Sequence, residues 1–567
     1  MTRYRASMED AAMNADADVG KGLKTLGRRG RTRSRAGACT SFLASVVAFL
    51  LADPGTAFMP LRVIKSHTRA ITTPSICMSI QSSSSKVKPR VVVAGGGFGG
   101  LYSALRLSEL SRPSRYAPPS IDITLVDRHD RFVFLPLLYE LAMGDANEEE
   151  VAPRFESLLA STGIRFVQGE VEAIDLAGKC VQVQSQGEAT GEEAREGPES
   201  AFETPSSGSS KSLAYDKLVL ALGSEPMLPP AASLPLSKGS LPPSPSSVMP
   251  FYTLRDAHAL RRQLMRIDAL PSPTLFRTVI VGGGYSGVEL AANLATRLGR
   301  DKGRVTLVER GYQILGNSPM PVRASAGKRL EEEGVEVMLG VDVVEVDGAR
   351  VVVRDRAAGT QGKEGAEGAG GGGREGEVVL PADLVVWTAG ARVSPVVGAM
   401  EGLEKDGRGK LVTDGGLRAL GSGGDVYVVG DNAAVMGYRG GGPPGSVGEK
   451  EQVLPSTAQV AFQESEVAAW NLWSSLTPGA PGPLRFQYTP LGEMLTLGPV
   501  DATISGLQGM FNLEGPSASL ARRLVYIMRM PTGSQRLKAA KAWAKGRTAK
   551  VKGAFQEAFA EGNAWQK

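Results

Sequence analysis

With 567 residues, 42% of them hydrophobic, and a formal charge of +5, the chain can bury two or three cores and is too apolar for a disordered protein. The positive sign is local: residues 1–90 hold fifteen Lys/Arg against five Asp/Glu, and Gly515 to Gln556 holds ten against none, so the body between is acidic and no nucleic-acid partner is expected. Three cysteines (Cys39, Cys77, Cys180) and three scattered histidines (His67, His129, His258) form neither a disulfide framework nor a set with metal-ligand spacing.

Residues 1–57 read as a signal peptide: seven Lys/Arg between Lys21 and Arg35 precede a short apolar run, Phe42 to Ala52, and small residues stand before Phe58. Residues 58–89 lack acids and are rich in Ser, Thr, Lys and Arg, as transit peptides are. Together they resemble the bipartite plastid leader of algae with secondary plastids, with a mitochondrial address as the alternative.

The first folded stretch is Arg90-Val-Val-Val-Ala-Gly95-Gly-Gly97-Phe-Gly-Gly100-Leu-Tyr, a β-branched run entering a glycine turn and then a helix. Gly95 permits the turn, Gly97 lets a pyrophosphate approach the backbone, and Gly100 lets helix and strand pack closely. Ile121-Asp-Ile-Thr-Leu-Val-Asp127 closes the unit with an acid placed for a ribose hydroxyl. Phe132-Val-Phe-Leu-Pro136-Leu-Leu-Tyr139-Glu140 then follows without the redox cysteine pair of dithiol enzymes. Residues 164–183 alternate like strands, and Gly169-Glu-Val171 is expected to bring backbone beside an adenine. Ser185 to Ser212 and the Pro/Ser stretch 226–248 read as loop and linker.

Thr278-Val-Ile-Val-Gly282-Gly-Gly284-Tyr-Ser-Gly287-Val-Glu289 repeats the first turn, so two dinucleotides are expected. Arg304-Val-Thr-Leu-Val-Glu309 closes that unit, and its acid favours an unphosphorylated ribose, although Arg310 beside it weakens the preference. Glu289 is placed in the first helical turn. There it either gains from the helix dipole alone or borders the reacting rings and relays protons. After a second Gly/Glu-rich insert, Ala357 to Glu377, the strand Asp425-Val-Tyr-Val-Val-Gly430-Asp431 returns to the first domain and sets a carboxylate for a flavin ribityl chain. Ser456-Thr-Ala-Gln459 has the form of a capping box, and Gln459 and Gln463, four apart, share a helix face. They either cap and solvate, or point into one cavity. In the tail, Leu537, Ala540, Trp543 or Ala544, Val551, Phe555 and Phe559 recur at helical spacing, with Arg536, Lys538, Lys541, Lys545, Arg547, Lys550 and Lys552 on other faces.

Over residues 90 to about 540 these motifs resemble the type II NAD(P)H:quinone oxidoreductases, most of all their plastid and cyanobacterial branch, whose members reduce demethylphylloquinone or plastoquinone. The resemblance rests on both glycine turns, Leu135-Pro136-Leu-Leu-Tyr139, Gly430-Asp431, Ala458-Gln459-Val-Ala-Phe-Gln463 and Pro490-Leu-Gly-Glu-Met-Leu-Thr-Leu-Gly498. It implies an α/β flavoprotein of two Rossmann-like dinucleotide-binding domains with a C-terminal membrane-docking helical element. The expected division is 90–250 and 401–480 for the FAD domain, 251–400 for the NAD(P)H domain and 481–567 for membrane association. The resemblance assigns FAD to Gly95, Gly97, Gly100, Asp127 and Asp431, with the backbone at Val171 expected beside its adenine. It assigns NAD(P)H to Gly282, Gly284, Gly287 and Glu309, and the chemistry to Glu289, Gln459 and Gln463, with a quinone as acceptor, no metal, and a thylakoid or plastoglobule surface as location. Its rivals are a soluble flavoprotein reductase serving ferredoxin or monodehydroascorbate, and a nucleotide-binding redox sensor. Whether the chain forms a homodimer is left open.

Overall fold

The computed structural model describes residues 88–113, 120–184, 210–227, 248–269, 275–347, 350–356, 376–435, 454–506 and 511–546. All belong to one compact unit, Ser82–Lys567. The leader, the tips of both low-complexity inserts and the tail beyond 546 lie outside the described residues.

Two parallel five-stranded sheets dominate. The first runs 426–428, 217–220, 90–94, 122–127, 165–168 across its width, the second 336–339, 303–309, 276–281, 384–387, 248–250. In each, the strand that enters the glycine turn is central, and its register to both neighbours is parallel throughout. β-Branched runs such as Arg90–Ala94 are buried on both faces, as a parallel sheet covered by helices demands. Each domain adds a three-stranded antiparallel sheet, Glu170–Asp175 with Cys180–Gln184 and Ser210–Ala214, and Val341–Asp347 with Arg350–Asp355 and Glu377–Pro381.

The copy extends to side chains. Arg90 opens its strand by donating backbone and guanidinium N–H to Asp216, and Arg277 does the same to Asp383. The copies differ in their outermost strand. The first sheet recruits Val426–Val428 from the returning chain, while the second recruits Val248–Pro250 from the segment before it. Val248–Pro250 therefore belongs to the second sheet, and Pro395–Ala399 packs through Val397 into the core beneath the first. The chain crosses between domains on two short antiparallel strands, Ser224–Pro226 and Ala391–Val393.

Six helices position the site: α1 (Phe98–Leu110), α2 (Leu138–Met143), α3 (Tyr285–Lys302), α4 (Ala458–Leu476), α5 (Gly515–Met528) and α6 over 533–546. Helix α4 lies along α1. The region expected to serve membrane association starts as an antiparallel meander, Gly492–Gly498, Asp501–Gly506 and Phe511–Glu514, covered by α5 and packed on α3. No helix among the described residues is long and apolar enough to cross a membrane.

Helix α6 corrects the expected tail pattern. It turns Gln535 and Ala539 inward, 3% and 0% exposed, and leaves Leu537, expected on the apolar seam, 57% exposed. Lys538, Lys541 and Lys545 are exposed with Leu537. Val551, Phe555 and Phe559 lie outside the described residues.

Candidate functional site

Both glycine turns have the same construction. Gly95 and Gly282 hold positive φ, +102° and +113°, which only glycine adopts without strain. A methyl group added to Gly100 would lie 1.8 Å from the Gly95 carbonyl oxygen, and one on Gly287 equally close to that of Gly282. The helix can therefore rest on the turn only if both positions lack Cβ. Gly97 and Gly284 are the N-caps of α1 and α3, have no side-chain cap, and would meet no protein atom within 4 Å if they carried a Cβ. Each turn thus presents uncapped first-turn N–H groups at the positive end of a helix beside open space, a cradle that fits a dinucleotide pyrophosphate.

The two strand-end acids brace these cradles. Asp127 accepts from Gly96 N at 2.7 Å and His129 N at 2.8 Å. Glu309 accepts from Gly283 N at 2.5 Å and Gly311 N at 2.6 Å. Arg310 turns away to pair with Asp342 at 3.0 Å. Val171 is buried in the first domain's core and pairs with Val183, so only its backbone is available to a ligand. Asp431 follows Gly430, whose φ is +70°, and accepts from Ser224 Oγ at 2.5 Å. Ser224 Oγ is in turn 2.7 Å from the Tyr252 hydroxyl. The Gly-Asp turn is therefore held at the crossing between domains.

Two residues overlooked in the sequence hold that turn in place. Asn432, fully buried, exchanges two hydrogen bonds with Gly223 at 3.0 and 2.8 Å. Glu464, 1% exposed, accepts from Gly430 N at 2.5 Å, and burial pushes its carboxyl up to about 8 despite that bond and nearby Lys410. In sequence Glu464 is one acid in a polar helical stretch; nothing there marks it as buried.

The glutamine pair shares a face of α4, but not through a capping box: the N-cap is Thr457, which accepts from Val460 N, and Ser456 instead takes a bond from Lys410 Nζ. Gln459 Oε1 accepts from the Tyr488 hydroxyl at 2.6 Å and Leu491 N at 3.1 Å, while its Nε2 donates to Gly492 O. Gln463, 7% exposed, takes both backbone groups of Thr489, at 3.0 and 2.9 Å. Further along α4, Asn471 grips Leu484 in the same two-bond manner, at 2.6 and 2.9 Å. Three side-chain amides thus strap the extended segment 484–492 along one helix.

Glu289 lies in the second turn of α3, not the first, so the helix terminus does not account for it. Its Oε1 accepts from Thr496 N at 3.1 Å. Burial drives its carboxyl up to about 7, opposed by the Thr496 bond and Arg522 and reinforced by Glu140. Gly492, bonded by Gln459, and Thr496, bonded by Glu289, lie on one strand, so the two site elements stand about 13 Å apart along it. Around Glu289, Tyr139 donates to Glu140 at 3.0 Å, and Glu140 also accepts from Arg522 at 2.8 Å and from Arg523. Arg523 also pairs with Glu150. Arg522 and Arg523 are each 3% exposed, so two cations of the acid-free tail belong to the interior. Burial pushes Glu140 up, but the two guanidiniums overcome it and hold it below the usual carboxylate range. Phe98, Phe132, Phe134 and Tyr526 stack edge to face beside this cluster.

Cys180 is the single cysteine among the described residues. Residues 89–465 match the family described as pyridine nucleotide-disulphide oxidoreductase. The chain is 38% identical to a demethylphylloquinone reductase of Synechocystis sp. over 80% of its own length and 96% of that protein's. It is 35% identical to an alternative NAD(P)H-ubiquinone oxidoreductase of Arabidopsis thaliana, described as chloroplastic/mitochondrial, over 80% of each chain. Its fold is similar to that of NDH2 from Plasmodium falciparum, with a TM-score of 0.64 at 15% identity over 81% of this chain and 98% of the other.

Proposed function

The chain belongs to the pyridine nucleotide-disulphide oxidoreductase family and, within it, to the type II NAD(P)H:quinone oxidoreductases, and on that premise we propose that it passes electrons from NAD(P)H through FAD to a naphthoquinone of the demethylphylloquinone kind. The observation that carries this reading is the pair of matched, open cradles at Gly97 and Gly284 on two copies of one domain.

The first cradle, with Asp127, the backbone at Val171 and Asp431, would hold FAD, because the return strand that delivers Asp431 completes this sheet and not the other. The second, with Glu309, would hold the nicotinamide nucleotide. FAD, when bound, supplies hydride acceptance and onward electron transfer. The protein's residues bind, orient and exclude water. Glu289 serves as the proton-holding group beside the reacting rings, because its carboxyl changes charge near neutral pH. Gln459 and Gln463 fix the strap 484–492 on α4, and the strap in turn borders the acceptor.

Helix α6, with exposed Leu537 and three lysines, and the basic tail after it dock the enzyme on an anionic membrane surface, each cation contributing on the order of 1 kcal/mol. The leader directs it to the plastid. An anaerobic assay of residues 90–567 with NADH and NADPH against naphthoquinone, benzoquinone and ferredoxin tests the reading. Naphthoquinone is the expected acceptor, and preference for ferredoxin overturns it.

A further inference from the structure

The buried charges beside Glu289 have no evident stabilising purpose. Replacing a buried ion-pair cluster with packed apolar side chains is often neutral or favourable, so retaining four charges among Glu140, Glu150, Arg522 and Arg523 calls for another reason. Their placement supplies one. Glu140 comes from α2 and Arg522 from α5, and bonded to each other they act on the Glu289 carboxyl with opposite charges. Arg522 is locked by its bond to Glu140 and lies over the rings of Tyr139 and Tyr526, at 5.8 and 5.1 Å. The remaining titratable groups facing Glu289 are tyrosines: Tyr139, Tyr526, and Tyr285 on its own helix, whose hydroxyl is bonded to Glu493 of the adjoining strand. Burial raises all three, so they stay neutral across the working pH range. The charges that Glu289 feels therefore come from one ion pair.

We infer that Arg522 is a positioning residue for quinone reduction: pinned by Glu140 between two tyrosine rings, it sets the charge that the Glu289 carboxyl faces, so the Glu140–Arg522 pair governs when that carboxyl holds the proton it delivers. This rests on the reading of Glu289 given above. Quinone reduction forms two O–H bonds; one hydrogen originates in the nicotinamide hydride and the other is a proton from the medium, so a group that takes up that proton and passes it on is required.

The test is the pH dependence of quinone-driven reoxidation in the holoenzyme, followed by stopped flow with a naphthoquinone, with FAD content and thermal midpoint as checks on folding. The wild-type rate falls as pH rises through the Glu289 transition. Glu140→Gln leaves the cation uncompensated and moves this limb to lower pH. Arg522→Met leaves the anion and moves it to higher pH, each by about one unit, and Arg522→Lys restores it. Arg523→Met, equally buried and also paired with Glu140, leaves the limb in place. Shifts of the same sign for Glu140→Gln and Arg522→Met, or an Arg523→Met shift equal to that of Arg522→Met, overturn the inference. Should Arg522→Met not fold, Glu140→Gln and Arg522→Lys still decide, because a merely structural pair gives no downward shift in the first. If Glu289→Gln keeps the wild-type limb, the reading of Glu289 fails instead.

Discussion

The two kinds of glycine in each turn separate ligand space from protein packing. Gly100→Ala places a methyl 1.8 Å from a backbone carbonyl that cannot swing away, so α1 must lift off its strand. Overpacking costs about 1–3 kcal/mol where side chains give way, and a backbone neighbour puts the cost at or above that upper figure. Gly97→Ala meets no protein atom within 4 Å and changes only an N-cap, at about 1 kcal/mol or less. If the FAD pyrophosphate rests on Gly97, however, its methyl occupies the phosphate's place. The same overpacking of about 1–3 kcal/mol then appears in binding, weakening FAD by about 5- to 150-fold. The assay pairs thermal unfolding of deflavinated protein with FAD titration by flavin fluorescence quenching. Gly97→Ala should melt close to wild type and bind FAD poorly, whereas Gly100→Ala should melt well below it. Wild-type FAD affinity in Gly97→Ala would refute the placement of the cofactor, and a wild-type melt in Gly100→Ala would refute the packing argument.

Glu464 ionises near 4.5 in the unfolded chain and near 8 when folded, so its penalty on stability is absent below pH 4.5 and grows as pH rises to about 8. Glu464→Gln keeps an acceptor for Gly430 N and should therefore raise the melting temperature, increasingly so from pH 5 to 8; a constant difference across that range rejects the buried carboxyl as its cause. Gln463→Leu strips both partners from Thr489 and should destabilise the fold by about 1–3 kcal/mol, speed amide exchange over 484–492 and raise KM for quinone with little change for NADH. Asn471→Leu should loosen the strap near Leu484 only, and a quinone KM effect as large as that of Gln463→Leu would detach the strap from the acceptor site. Removal of residues 533–567 should abolish flotation with anionic lipid vesicles, and equal flotation with and without them would sink the docking role of α6.

Local chemistry made the cradles readable. A glycine turn is recognisable in one sequence because the constraint is local: positive φ at Gly95 and Gly282, and no room for a Cβ at Gly100 and Gly287, follow from a strand meeting a helix within six residues. The strand-end acids Asp127 and Glu309 and the domain repeat were legible for the same reason. The tail was not. Gly515 to Gln556 reads as uniformly basic, yet Arg522 and Arg523 face inward because Glu140 and Glu150, more than 370 positions earlier, meet them there. Likewise the glutamine spacing showed a shared face, but only the path of residues 484–492 determined what that face holds. Sequence by itself determined the two glycine turns, since backbone conformation is set by residues a few positions apart. Tertiary structure alone decided which charges are desolvated and which carboxyl, Glu289 or Glu464, is pushed toward neutral pH, since desolvation depends on neighbours contributed by distant parts of the chain.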